Sequence, residues 1–241
     1  MESKTLVTIF TLTIAALSFA GAVFAHSPKF TDSFREDGCK FSSTGRNPFF
    51  ILEPGHELVL EGDDEGEAVK LVITVLNRTK VINGIETRVV RERETKDGEL
   101  VEISKNYFAI CKQTNSVFYF GEDVNFYENG QVVSHDGSWR AGVDGAEPGI
   151  IMPGTILIGA RYHQETAPGI AMDRGEIRRI DATVTTLVAQ FTDCVEVRET
   201  TPLEPDALEF KFHAPGVGLV MDGPLLLTRV TTAAGAVYPE W

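Results

Sequence analysis

Cations, cysteines and helical periodicity are all scarce in this chain. Lys and Arg number 22 against 35 Asp and Glu, which leaves a formal charge of -13 and a pI near 4.8. A surface of that sign repels phosphate backbones and anionic lipid, so no nucleic acid is expected as a partner. The three cysteines, Cys39, Cys111 and Cys194, stand too far apart for the close ligand pairs of a zinc site. Beyond the first 25 residues no apolar run is long enough to cross a bilayer, so no transmembrane segment is expected in the mature chain. No helical period and no internal repeat follows either.

The one long apolar stretch stands at the start. Lys4 precedes a run from Leu6 to Ala20 diluted only by Thr and Ser, and Gly21-Ala22-Val23-Phe24-Ala25 follows it. This is the pattern of a signal peptide over residues 1–25, cleaved between Ala25 and His26. The mature chain, 26–241, then reads as a single β-sheet domain of an exported protein, periplasmic or secreted. With 43% hydrophobic and 24% charged residues, the chain has material for one sizeable core. An oxidising compartment permits a disulfide. Cys39 lies in a Ser/Gly/Pro-containing segment in need of a tether, and we pair it with Cys111, leaving Cys194 over.

The pattern from residue 68 onward is that of strands joined by tight turns. Val69–Leu76 runs to Asn83-Gly84, Glu86–Arg93 to Asp97-Gly98, and Leu100–Ile103 leads to Tyr107–Ile110. Asn-Gly and Asp-Gly tolerate the positive φ angles of type I′ turns, which makes these hairpins. Ser116–Phe120 and Val124–Tyr127 precede a third such turn at Asn129-Gly130 and a return along Gln131–Val133. Six further strands are expected, at 176–180, 182–189, 195–200, 208–213, 217–221 and 225–230. Between the two groups, Ala141 to Gly159 is rich in Gly and Pro, and reads as a lid or as a covered connection packing Ile150, Ile151 and Met152. The fold class is therefore all-β, an antiparallel meander forming a curved open sheet or barrel, with one long Gly/Pro-rich loop.

Several phrases carry a resemblance. Arg46-Asn47-Pro48-Phe49-Phe50, Phe118-Tyr119-Phe120-Gly121-Glu122-Asp123-Val124, Tyr127-Glu128-Asn129-Gly130 and Ala214-Pro215-Gly216-Val217-Gly218-Leu219-Val220 resemble a group of exported bacterial proteins of unknown function. The closing Gly-Val-Gly-Leu-Val phrase is similar to the end of the DUF3108-like or TapB-like group. That resemblance implies a curved β-sheet fold in the cell envelope, and it implies no active site.

Residues able to carry chemistry are few. His26, at the mature N-terminus, could bind copper through its amine and ring, but no second ligand is marked out. The acidic run Glu61–Glu67 lacks the spacing of a calcium loop and reads better as a solvated hairpin turn. Ser134-His135-Asp136 is not a triad, because adjacent strand residues point to opposite faces. The sharper expectation is a small polar ligand site flanking the Gly/Pro-rich segment, built from His135, Trp139, His163, Glu165, Asp173 and Glu176. Fifteen phenylalanines make a deep apolar interior available. The leading expectation is a non-enzymatic binding or carrier protein for an apolar small molecule or a cell-envelope protein, with no cofactor. The alternatives are a metal-binding protein or metal-dependent enzyme using the His/carboxylate cluster, and a structural envelope protein.

Overall fold

The computed structural model describes residues 29–232. The expected signal peptide, its expected cleavage site and His26 lie outside the described residues. Regular structure among them is strand, apart from one 3₁₀ turn at Glu36–Gly38. Three short strands come first: β1 (Phe41–Ser42), β2 (Gly45–Asn47) and β3 (Phe50–Leu52). A meander of long strands follows: β4 (Glu57–Asp64), β5 (Glu67–Ile82), β6 (Ile85–Lys96), β7 (Glu99–Cys111) and β8 (Val117–Glu128). Shorter pieces return along β8: β9 (Gln131–Ser134), β10 (Trp139–Arg140) and β11 (Glu147–Met152). After β12 (Arg161–His163) and β13 (Glu165–Thr166) a second meander runs through β14 (Arg174–Thr185), β15 (Gln190–Thr200), β16 (Glu209–Ala214), β17 (Gly218–Asp222) and β18 (Leu225–Thr231).

The turns obey the chemistry read from the sequence. Asn83-Gly84, Asp97-Gly98 and Asn129-Gly130 all hold positive φ at both residues, as type I′ requires. Glu65-Gly66 does the same, so the acidic run is the exposed tip of the β4–β5 hairpin, where the Gly66 N–H donates to Asp63. Some strands are longer than expected, because polar residues that read as breaks continue the ladder. Ser104 and Asn106 lie inside β7, and Gly121-Glu122-Asp123 lies inside β8, where the register shifts opposite Tyr107. A bulge bends a strand without ending it.

The two meanders close on one another. β18 pairs antiparallel with β4, and the thirteen-strand order begins at β12 and ends at β13, two strands separated only by Gln164. The sheet is thus nearly closed into a barrel with one unsealed seam. The Gly/Pro-rich segment lies beside that seam. Its middle is β11, which pairs with β8 and β13, and Met152 is fully buried, so this part is covered connection. Gly149 and Gly154 stand where other backbone comes too near for a side chain. A Cβ would meet the His163 carbonyl oxygen at 2.4 Å in the first case and that of Thr114 at 1.8 Å in the second. Glycine here serves close approach.

The N-terminal segment is held against the barrel in three ways. Cys39 and Cys111 form a disulfide, and Cys194 is a buried free thiol. Phe41 packs edge-on to Phe118 and Phe120, at 5.3 and 5.2 Å between ring centroids. Asn47 is fully buried, and its amide donates to the carbonyls of Asn115 and Pro153 while its oxygen accepts the Phe49 N–H. That fixes the β2–β3 hairpin over the barrel, where Phe50 packs on Phe108 at 5.1 Å between ring centroids.

Candidate functional site

Inside the barrel lies a partly open cavity of about 250 Å³, just under the ~300 Å³ at which ligand pockets usually begin. It lies where the two apolar clusters of the core meet, since Val75, Val90 and Phe108 belong to one and Leu58 and Val217 to the other. Residues two apart on β6, β7 and β16 share the inner face. The cavity wall therefore mixes apolar and aromatic side chains, Phe50, Phe108, Ile151 and Trp139 among them, with ionisable ones: Glu92 from β6, Glu122 from β8, Glu165 from β13, Asp173 ahead of β14, Glu199 from β15, and Lys211 and His213 from β16. Glu122 stands directly across the β8–β10 ladder from Trp139. His56, which also lines the cavity, is tied by Nε2 to the Val217 carbonyl at 2.9 Å.

The electrostatics of this wall are unusual for a core. Burial is the main cause that pushes Glu92 up to about 8, against the pull of Lys211. Glu92 keeps some accessible surface because it fronts the cavity, yet protein surrounds it. Burial and then Glu102 push Glu122 up to about 7. Burial and then Asp173 hold Glu165 well above the ordinary carboxylate range, and its Oε1 accepts the Asp173 N–H at 2.6 Å. Asp173 itself is raised by burial and by Glu199, although its exposure places it at the cavity's rim. Lys211 answers these charges. Burial acts to lower its pKa, but Asp222, Glu199, Glu209 and Glu92 outweigh burial and raise it well above the usual value. Its Nζ lies 3.1 Å from Glu199 and 3.7 Å from both Glu209 and Asp222. Burial and then Lys211 push His213 down to about 4, so its ring is neutral at physiological pH.

Of the residues expected from sequence, Trp139, Glu165 and Asp173 line the cavity, and His135, His163 and Glu176 do not. His135 is exposed beyond β9, with Nδ1 3.0 Å from the Val124 carbonyl. His163 ends β12, edge-on to Phe30 at 6.2 Å. Glu176 is buried beneath three arginines. Arg161 and Arg178 reach its Oε1 at 2.8 and 3.0 Å, and Arg198 reaches Oε2 at 2.8 Å. Burial would raise this carboxyl, but the guanidiniums outweigh it and hold the pKa below the ordinary value. The cluster ties β12, at the seam, to β14 and β15. Among the described residues no group of three or more His, Cys, Asp or Glu is arranged to hold a metal ion. Glu92, Glu122, Lys211 and His213 were not anticipated. The available signal was parity: Val90-x-Glu92 and Lys211-x-His213 keep polar residues on a strand face that is otherwise buried.

This wall predicts a pH profile. The folded chain holds the protons of Glu92 and Glu122 at pH values where the unfolded chain, with carboxyls near 4.5, has lost them, so stability falls as pH rises towards about 8. His213 acts in the opposite sense: unfolded it takes a proton near 6.5, folded only near 4, so its own contribution falls below about 6.5. Two carboxyls outweigh the one imidazole between about pH 4.5 and 6.5, so stability is expected to peak near pH 4.5 and to drop by about 3 kcal/mol between pH ~6 and ~8.5, solvent in the cavity screening part of the effect. Chemical denaturation across pH measures this. Glu92→Gln should flatten the alkaline limb, and an unaltered limb in that variant would remove Glu92 as its source.

No protein-family model matches the chain, and no curated protein or solved structure is detectably similar to it.

Proposed function

We propose that the protein is a non-enzymatic carrier, which binds one small, partly apolar molecule inside its barrel. The observation that carries this reading is the mixed lining of the cavity, aromatic side chains set among ionisable groups that the fold leaves only partly compensated. A core shaped by stability alone would fill that space with apolar side chains, because a buried carboxyl costs free energy unless something answers it. Buried titratable groups that converge on a cavity are the usual mark of a binding or active site.

We further propose that the protein works outside the cytoplasm, periplasmic or secreted, after cleavage between Ala25 and His26. The Cys39–Cys111 disulfide supports an oxidising compartment, and among the described residues no helix is long and apolar enough to cross a membrane. The resemblance to exported envelope proteins agrees with this placement. Native mass spectrometry of the mature chain purified from its own source, with elemental analysis of the same sample, tests the reading. A bound organic molecule of low mass is the expected result. A stoichiometric metal instead would overturn it in favour of a metal-dependent role, and a chain repeatedly recovered empty would leave the structural role.

A further inference from the structure

Resting on the carrier reading, we infer that the cavity selects a short organic cation, an ammonium head joined to an apolar body. Five carboxyls front the cavity, and among the described residues Lys211 is the one ammonium that joins them. Lys211 is already engaged by Glu199, Glu209 and Asp222, and among the described residues Glu92, Glu122 and Glu165 have no ion-pair partner. A second positive charge placed among these three would let them ionise, whereas an anion could be accommodated only by keeping all three protonated and would gain no charge pairing from them.

A second observation points the same way. His213 is 8% exposed and lines the cavity, and its Nδ1 has no hydrogen-bond partner. The ring also interacts with the Phe49 backbone. A neutral imidazole carries its proton on one nitrogen and leaves the other a bare acceptor, which is Nδ1 in the tautomer protonated at Nε2. That acceptor calls for a ligand N–H, which an ammonium group supplies. The same cavity wall carries the rings of Phe108, Tyr119 and Trp139, with Tyr119 and Trp139 packed edge-on at 5.2 Å. Aromatic faces attract cations and accept an apolar body equally well. A cavity of about 250 Å³ holds the volume of about eight waters, which limits the ligand to roughly ten non-hydrogen atoms.

The experiment is titration calorimetry of the mature, unliganded protein near neutral pH with three probes of one chain length: hexylammonium, hexanol and hexanoate. Hexylammonium should bind at least ~10-fold more tightly than hexanol, and hexanoate should give no heat of binding. Glu122→Gln should bring hexylammonium down to the hexanol affinity while hexanol binding persists, which shows the cavity intact. Equal affinity for the three probes, or a preference for hexanoate, would overturn the cation inference and leave the carrier reading standing. No binding by any probe, with an empty chain in native mass spectrometry, would overturn both. If Glu122→Gln does not fold, the ranking of the three probes on the unaltered protein still decides.

Discussion

Lys211→Met is expected to lose about 4 kcal/mol of stability near pH 8 and distinctly less near pH 5. Methionine keeps most of the unbranched stem, so the change removes a charge with little change in packing. What remains is Glu199 at 3.1 Å from the vacated position, with Glu209 and Asp222 at 3.7 Å, all facing one another with no ammonium between them. Taking one partner from a largely desolvated ion pair costs more than the pair contributes, and here Glu199 and Asp222 stay mostly buried while solvent screens the half-exposed Glu209. Acid moderates the loss. Burial already pushes Glu92 up to about 8 and Glu209 up to about 7, so near pH 5 both carry protons and repel nothing. Chemical denaturation of the variant at the two pH values measures this directly. Equal losses at both would mean that Lys211 acts through packing, and no loss at either would mean that it does not balance the carboxyls at all. Adding Glu199→Gln to Lys211→Met should recover part of the stability at the higher pH.

The paired substitution Cys39→Ala and Cys111→Ala should also cost about 4 kcal/mol, seen as a fall of roughly 10 °C in the melting temperature. The bond joins positions 72 apart in sequence, and the loop it closes contains β1 to β6 and most of β7. Its chief effect is to restrict the unfolded chain, and that restriction grows with loop length. In the folded state it also holds the N-terminal segment where Phe41 meets Phe118 and Phe120. Thermal melts of the variant, and of the unaltered protein with and without reductant, make the comparison. Buried Cys194 is sheltered from exchange in both. A melting temperature within a degree or two of the original would show that aromatic packing and Asn47 hold the segment unaided.

The parts of this fold legible in the sequence are those set by neighbouring residues. Asn83-Gly84, Asp97-Gly98 and Asn129-Gly130 announce their hairpins because the left-handed backbone of a type I′ turn tolerates few other residue types. Val69 to Leu76 announces a strand through β-branched content. The pairing of Cys39 with Cys111 was also reachable, since a loose polar segment needs an anchor. The polar stretches Ser104–Asn106 and Gly121–Asp123 look like strand breaks yet continue β7 and β8, because alternate side chains in them point inward: Ser104 and Asn106 are 1% and 4% exposed and Glu122 fronts the cavity.

The candidate site was legible only in part, for a related reason. Trp139, Glu165 and Asp173 drew notice because they flank the Gly/Pro-rich segment, and closure of the seam brings that segment against the cavity. Glu92, Lys211 and His213 lie on strands far apart in the chain, amid ordinary alternation of polar and apolar residues. Local propensity and turn chemistry, which act over a few residues, determined the strands, the hairpins and the disulfide-tethered N-terminal segment. Which face of each strand turned inward, and so which carboxyls were buried together around Lys211, was decided only when β18 paired with β4 and the sheet's two ends met at Gln164. Alternation marks two faces of a strand, and only barrel closure decides which of them water leaves.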